Sequence, residues 1–281
     1  MYAVKASGKG GIRACNSSLD EGRILRHQIA REIASGLGRN ELDVVHQPLV
    51  DAQDFPAVGV EALVRWPGRP AAPLNPDEFI GIAEGSRLIQ APGMYMLGRA
   101  CRETRDIEGL RVSVNVPPVQ FSHPDFKRQV RRVLDAAGLA PERLLLEITE
   151  RHLIDDPERA RRAIDSLRAI GVGFAPDDFG TGFTSLACLQ FHGFTCVRID
   201  RSLTKRLQTE QKAGHLICGL VDLAKGLDLR VVAEGIGDER LAQMLKLAGC
   251  NELQGDHFGR PAPLAQALNM AAPPKQEIAL V

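Results

Sequence analysis

The sequence predicts an α/β barrel of the TIM-type (β/α)8 class whose first strand runs antiparallel to its neighbours. Three observations carry that prediction. Beyond Asn40, short apolar runs of strand type alternate with longer stretches of helical period, the pattern of βα units and a parallel sheet. Eight such runs occur, at residues 42–50, 58–66, 110–116, 143–149, 171–177, 195–200, 229–234 and 250–254. The connection from Asp51 to Ala57 contains Pro56 and has no room for a helix. Parallel neighbours need a crossover of roughly a dozen residues, so the first two strands must be antiparallel. Finally, seven successive strands carry polar side chains toward their C-terminal halves: Glu61, which comes early in its run and fits most loosely, Asn115, Glu147, Asp177 with Asp178, Arg198 with Asp200, Glu234 and Gln254. A closed barrel gathers such positions at one mouth.

Taken in order, residues 1–11 read as the end of a helix breaking into a glycine-rich turn, an odd opening for a domain. From Leu19 to Gly38, Ile24, Leu25, Ile29, Ile33 and Leu37 recur at helical spacing. That pattern suits a connecting helix and equally an ordinary first helix of the barrel. The barrel occupies residues 41–271, with helical candidates at 76–84, 118–137, 157–170, 207–227 and 238–247. Its fifth strand ends in Asp177-Asp178-Phe179-Gly180-Thr181-Gly182, two adjacent carboxylates followed by two glycines. Either a strand-to-helix turn or a binding site for positive charge would use that pattern. Residues 272–281, with Pro273-Pro274, read as a mobile terminal tail.

Composition narrows the function. In 281 residues, 35 basic side chains balance 35 acidic ones, which favours a small ligand over a nucleic acid duplex or a membrane surface. The six cysteines form no C-x-x-C pair, against a zinc site or a disulfide framework and in keeping with a reducing cytoplasm. No apolar run approaches the roughly 20 residues of a membrane span. The chain is expected to be cytoplasmic, alone or as the cytoplasmic part of a longer, membrane-anchored protein. His46, His192 and His257 are isolated and read as packing or surface residues.

Strand alternation places Glu61, Leu63 and Arg65 on one face, and Arg198 and Asp200 on one face with Val197 and Ile199 opposite. Converging carboxylates need compensating cations, because a buried ionised carboxylate without a partner is strongly disfavoured. The candidate ligands are hard oxygens without histidine or cysteine, which favours Mg²⁺ or Mn²⁺, and they are numerous enough for two ions. Two ions suit phosphodiester hydrolysis, where metals activate water and hold the phosphate.

Several motifs then line up. Glu61-Ala62-Leu63, Asn115 in Asn-Val-Pro-Pro, Glu147-Ile-Thr-Glu150, the Asp177–Gly182 stretch, Arg198-Ile-Asp200-Arg201, Glu234-Gly235-Ile236 and Gln254-Gly255 with Phe258-Gly259-Arg260-Pro261 resemble the EAL domain, the cyclic di-GMP phosphodiesterase family. The resemblance spans residues 41–268. It implies a barrel that hydrolyses cyclic di-GMP to linear pGpG with two Mg²⁺ or Mn²⁺ ions, Ca²⁺ inhibiting. Glu61, Asn115, Glu147 and Asp177 match ligands of one ion; Asp177, Asp178 and Glu234 match positions around the second ion and the intervening water. Gln47, Leu63 and Arg65 match substrate contacts, Asp200 and Gln254 line the site, and Glu150 matches the glutamate that anchors the loop after Asp178. That loop, around residues 180–190 with Phe183, Leu186 and Leu189, corresponds to the family's usual homodimer contact. Residues 1–18 resemble the last helix of a GGDEF domain, with 19–40 as the linker.

Three positions depart from the pattern. The family's catalytic lysine is Arg198, which keeps the charge but is planar and effectively never deprotonated. The second glutamate of Glu-Gly-x-Glu is Gly237, and the aromatic after Gln254-Gly255 is Asp256. The resemblance therefore implies either hydrolysis, with reduced turnover, or a receptor module that binds cyclic di-GMP without turnover.

Overall fold

The computed structural model describes residues 28–29, 31–33, 35–36, 38–39, 41–69, 80–83, 89–149, 157–177, 179 and 193–271. The segment resembling a GGDEF helix, the tail, Glu150, Asp178 and the expected dimer loop at 180–190 lie outside the described residues.

All eight expected strands form, within two residues of the expected bounds: β1 Asp43–Asp51, β2 Ala57–Arg65, β3 Arg111–Val116, β4 Leu144–Thr149, β5 Gly173–Asp177, β6 Cys196–Ile199, β7 Arg230–Ala233 and β8 Glu252–Gln254. They pair in the order β5-β4-β3-β2-β1-β8-β7-β6. β1 is antiparallel to both β2 and β8, as the short 51–57 connection requires, and the other ladders are parallel. Between β5 and β6 the wall is drawn nearly shut by the Thr195 N–H donating to the Phe174 carbonyl at 2.9 Å and by a parallel bridge between Phe179 and Ile199.

Inside the barrel, alternate residues stack in layers. At the end where the parallel strands begin, Glu252 on β8 pairs with Arg111 on β3 at 2.8 Å and Arg230 on β7 at 2.6 Å. The middle layer is apolar: Leu49, Leu145, Ala175, Cys196 and Val232, from five strands, pack together. Two residues further along the strands come the polar side chains of the mouth. Helices cover the outer faces, so most parallel strands are buried on both sides and read as continuous apolar runs.

The helices depart more from expectation. The stretch 118–137 divides into Pro118–Phe121 and Phe126–Ala137, because Pro124 cannot continue a helix and disfavours helical geometry at His123. The stretch 207–227 gives Gln211–Gly226, preceded by a separate helix, Arg201–Arg206. The long helix Gln90–Thr104 was not among the candidates; Pro92, Gly93 and Gly98 are weak helix formers, and packing of Met96, Leu97, Ala100 and Cys101 on the barrel overrides them. Described positions between 28 and 38 are helical, and Ile29 and Ile33 are buried against Leu42, Trp66, Ala83 and Ile89. This helix is docked on the barrel through its apolar side.

Arg143, just before β4, donates to four carbonyls: Leu110 at 2.7 Å, Arg105 at 2.8 Å, Thr104 at 2.5 Å and Ile107 at 2.8 Å. It ties the C-terminal end of Gln90–Thr104 and the turn into β3 to the start of β4. Arg143→Ala removes these four bonds and is expected to lower stability by about 2 kcal/mol, read as a lower urea midpoint at unchanged slope.

Candidate functional site

At the mouth, one side chain organises the others. Arg198 projects inward from β6 and is 1% exposed. Its Nε donates to Glu234 Oε1 at 2.6 Å, its Nη2 to Glu61 Oε2 at 3.0 Å and to Gln254 Oε1 at 2.8 Å, and its Nη1 to Glu147 Oε1. Glutamates from β2, from β4 and from the loop after β7, together with a glutamine from β8, thus converge on one guanidinium. Gln254 Nε2 also donates to Glu61 Oε2 at 2.7 Å and to Gln47 Oε1 at 3.1 Å, and Gln47 Nε2 donates to the Gly259 carbonyl at 3.2 Å. Asn115 Nδ2 donates to Glu61 Oε1 at 3.1 Å.

Local backbone chemistry places Glu234. Its N–H donates to the Ile199 carbonyl at 3.0 Å, and its own carbonyl accepts from Thr204 Oγ1 at 2.6 Å. Gly235 follows with φ +72°, where an added Cβ would lie 2.4 Å from Arg201 Cβ, so only glycine lets this loop pass. Likewise a Cβ on Gly255 would lie 2.2 Å from the Ile236 nitrogen; this close approach locks the Glu234 loop to Gln254, whose carbonyl accepts from the Ile236 N–H.

The network brings together Gln47, Glu61, Asn115, Glu147, Arg198, Glu234 and Gln254. Leu63, Arg65, Asn115 and Asp177 line an adjoining cavity of about 330 Å³, whose other wall is apolar and includes Ile89, Pro92 and Met96. That wall comes from the helix Gln90–Thr104 and the residue before it, which the sequence reading passed over; the apolar spacing of Met96, Leu97 and Cys101 was its available signal. Asp200 is buried at the end of β6, where its Oδ1 accepts from the Ser202 N–H at 2.8 Å as a helix N-cap.

The electrostatics follow from burial. Glu147 is held well above the ordinary carboxylate range because burial disfavours its charge; Arg198 offsets this, while Glu61, Asp177 and Glu234 add to it. Glu234 is pushed up to about 7, first by burial and then by Glu61 and Asp177, against the pull of Arg198. Burial opposes the charge of Arg198, yet Glu147, Glu234, Glu61 and Asp177 together hold its pKa well above the usual arginine range. The mouth remains short of positive charge.

The side chains fit a hard divalent ion chemically. Glu147 Oε2 is buried without a hydrogen-bond partner, and Asn115 gives its Nδ2 to Glu61. Among the described residues, no three His, Cys, Asp or Glu side chains already converge as a ligand group. The carboxylates converge on Arg198 instead. Glu61, Asn115, Glu147 and Asp177 carry the hard oxygens that such an ion takes.

A raised carboxylate pKa means that the folded state keeps a proton the unfolded chain releases. From the ordinary glutamate value near 4.5 up to about 7, Glu234 therefore costs the metal-free protein stability as pH rises, and its part of the loss levels off above that window. Glu234→Gln is expected to flatten this part of the profile, measured by urea unfolding at pH 5 and pH 7.5 in chelator.

Comparisons with known proteins agree with this geometry. A "Bifunctional diguanylate cyclase/cyclic di-GMP phosphodiesterase MucR" of Pseudomonas aeruginosa is 34% identical over 97% of the chain, and an "Uncharacterized signaling protein" of Caulobacter vibrioides is 40% identical over 96%. The chain spans 40% and 33%, respectively, of the length of these curated relatives. The solved structure "PaMucR Phosphodiesterase, c-di-GMP complex" superposes with a TM-score of 0.79 at 34% identity, covering 85% of this chain and 99% of that one. The EAL domain family matches residues 30–261, and with the acidic mouth assembled as described, the chain belongs to the EAL domain family.

Proposed function

We propose that this domain binds cyclic di-GMP at the barrel mouth and hydrolyses it to linear pGpG with Mg²⁺ or Mn²⁺. The observation that carries this reading is the gathering of Glu61, Asn115, Glu147, Asp177 and Glu234 around one mouth, beside a cavity lined by Leu63 and Arg65. A bound divalent ion supplies a polarised phosphoryl oxygen and a water of lowered pKa. The chain's own residues do the rest. Arg65 offers a cation to the phosphate, Leu63 and the apolar wall receive the flat base, and Gln47 and Gln254 brace Glu61 from β1 and β8. Water oxygen replaces one ester oxygen on phosphorus, and the leaving oxygen takes up a proton to give the linear dinucleotide.

A second reading has its own support. Arg198 ties one oxygen of each of three glutamates, an arrangement that secures the site's shape while restraining carboxylates that turnover uses. Under that reading the domain is a receptor for cyclic di-GMP. A cytoplasmic setting suits either: Cys101, Cys196, Cys218 and Cys250 are free thiols, and among the described residues no helix is long and apolar enough to cross a membrane.

With Mg²⁺ or Mn²⁺, purified protein is expected to convert cyclic di-GMP to pGpG by chromatography, and Glu61→Ala to lower turnover by about 100-fold or more. Ca²⁺ is expected to support binding without product. Tight binding with no product in either Mg²⁺ or Mn²⁺ removes hydrolysis and leaves the receptor.

A further inference from the structure

We infer that Gln90 and Gln120 are positioning residues for the cavity beside Leu63 and Arg65. Across Gly93 they join the first turn of the helix Gln90–Thr104 to the segment Pro118–Phe121, and this junction sets the width of the cavity. The inference rests on the binding reading above and names side chains that act on the dinucleotide without touching it.

The cavity lies between these two elements. Ile89, Pro92, Gly93 and Met96 line it from the helix and the residue before it, and Val116 and Pro117 from the end of β3, while Gln90 and Gln120 stand behind these walls. Local chemistry holds the first turn of the helix poorly: Ile89 at its N-cap supplies no side-chain hydrogen bond, and Gly93 is a weak helix former. Tertiary contacts hold it instead. Gln90 Nε2 donates to the Val119 carbonyl at 2.9 Å, and Gln120 Nε2 to Met94 Sδ at 3.2 Å. The buried Gln120 carboxamide occupies the place where a side chain on residue 93 would begin, since an added Cβ would stand 2.0 Å from its Oε1 and 2.6 Å from its Cδ. Glycine is disfavoured inside a helix, and here its missing Cβ is what allows so close an approach.

The other side of the junction is anchored to the barrel. Pro117 and Pro118 restrict the backbone, and Phe121 is buried in the main core, its ring 5.7 Å from Phe126 and 6.4 Å from Phe174 on β5. The barrel thus holds the segment, and the segment holds the helix through two glutamines. A flat base entering the cavity meets walls at a set separation, and dispersion contacts weaken steeply when one wall shifts by a fraction of an ångström.

Equilibrium binding of cyclic di-GMP to the full chain in Ca²⁺, beside urea unfolding of each variant, tests this. Gly93→Ala places a methyl group in the space of the carboxamide and is expected to weaken binding about 10-fold by pushing the helix off the segment. Combining it with Gln120→Ala vacates that space, and affinity is expected to return to within about threefold of the wild type. A contact that serves stability alone would move the urea midpoint and leave the affinity of the folded protein unchanged. Wild-type affinity in Gly93→Ala means that the carboxamide turns aside while the wall stays, and overturns the inference. A double variant as weak as the single one overturns it too. Should Gly93→Ala fail to fold, Gln90→Leu decides: binding weakened about fivefold or more supports the inference, and a smaller change overturns it. Wild-type protein that binds no cyclic di-GMP removes the proposed function and the inference with it, whereas wild-type binding with unaffected variants removes only the inference.

Discussion

Three carboxylates cannot share the dry mouth of a barrel unless something positive sits among them, and in this fold that something is the side chain of Arg198. Burial drives Glu147 and Glu234 toward their neutral forms. The guanidinium converts their repulsion into cross-links between β2, β4, β6, β8 and the loop after β7. Removing one partner from such a cluster is far more damaging than the net worth of the cluster, because it leaves the others buried and uncompensated. The positions of the strands at the mouth therefore depend on this one residue, and so does the field that any ligand meets there.

The opposite end repeats the theme with the signs exchanged. There a single carboxylate, Glu252, holds two arginines, and between the two polar layers lies an apolar plug from five strands. The plug keeps water from passing through the barrel, so charges at the mouth are screened from one side only. That arrangement strengthens electrostatic interactions at the mouth and accounts for the raised Glu147 and Glu234.

The departures from the family pattern also acquire places. Gly237 is exposed with open space around it, so a lost glutamate there leaves no hole. Asp256 is exposed and pairs with Arg260 at 3.1 Å, which carries the added charge outward and leaves Gln254 undisturbed in the network. Of the three departures, only Arg198 lies inside the cluster.

Much was legible before any coordinates. The eight strands, the antiparallel first strand and the polar residues on seven of the strands follow from local chemistry: apolar runs, a seven-residue connection too short for a crossover, and side chains that alternate with period two. Helix boundaries were less legible. Pro124 breaks a periodic stretch, and Gln90–Thr104 forms despite weak propensity because tertiary packing decides it. The sequence by itself determined which strand positions share a face, since alternation and strand position are properties of neighbours along the chain. Only the tertiary structure decided what they do to one another there. Arg198 and Glu61 are separated by 137 positions, and whether an arginine faces water or three glutamates depends on the closure of the barrel, which no local pattern records.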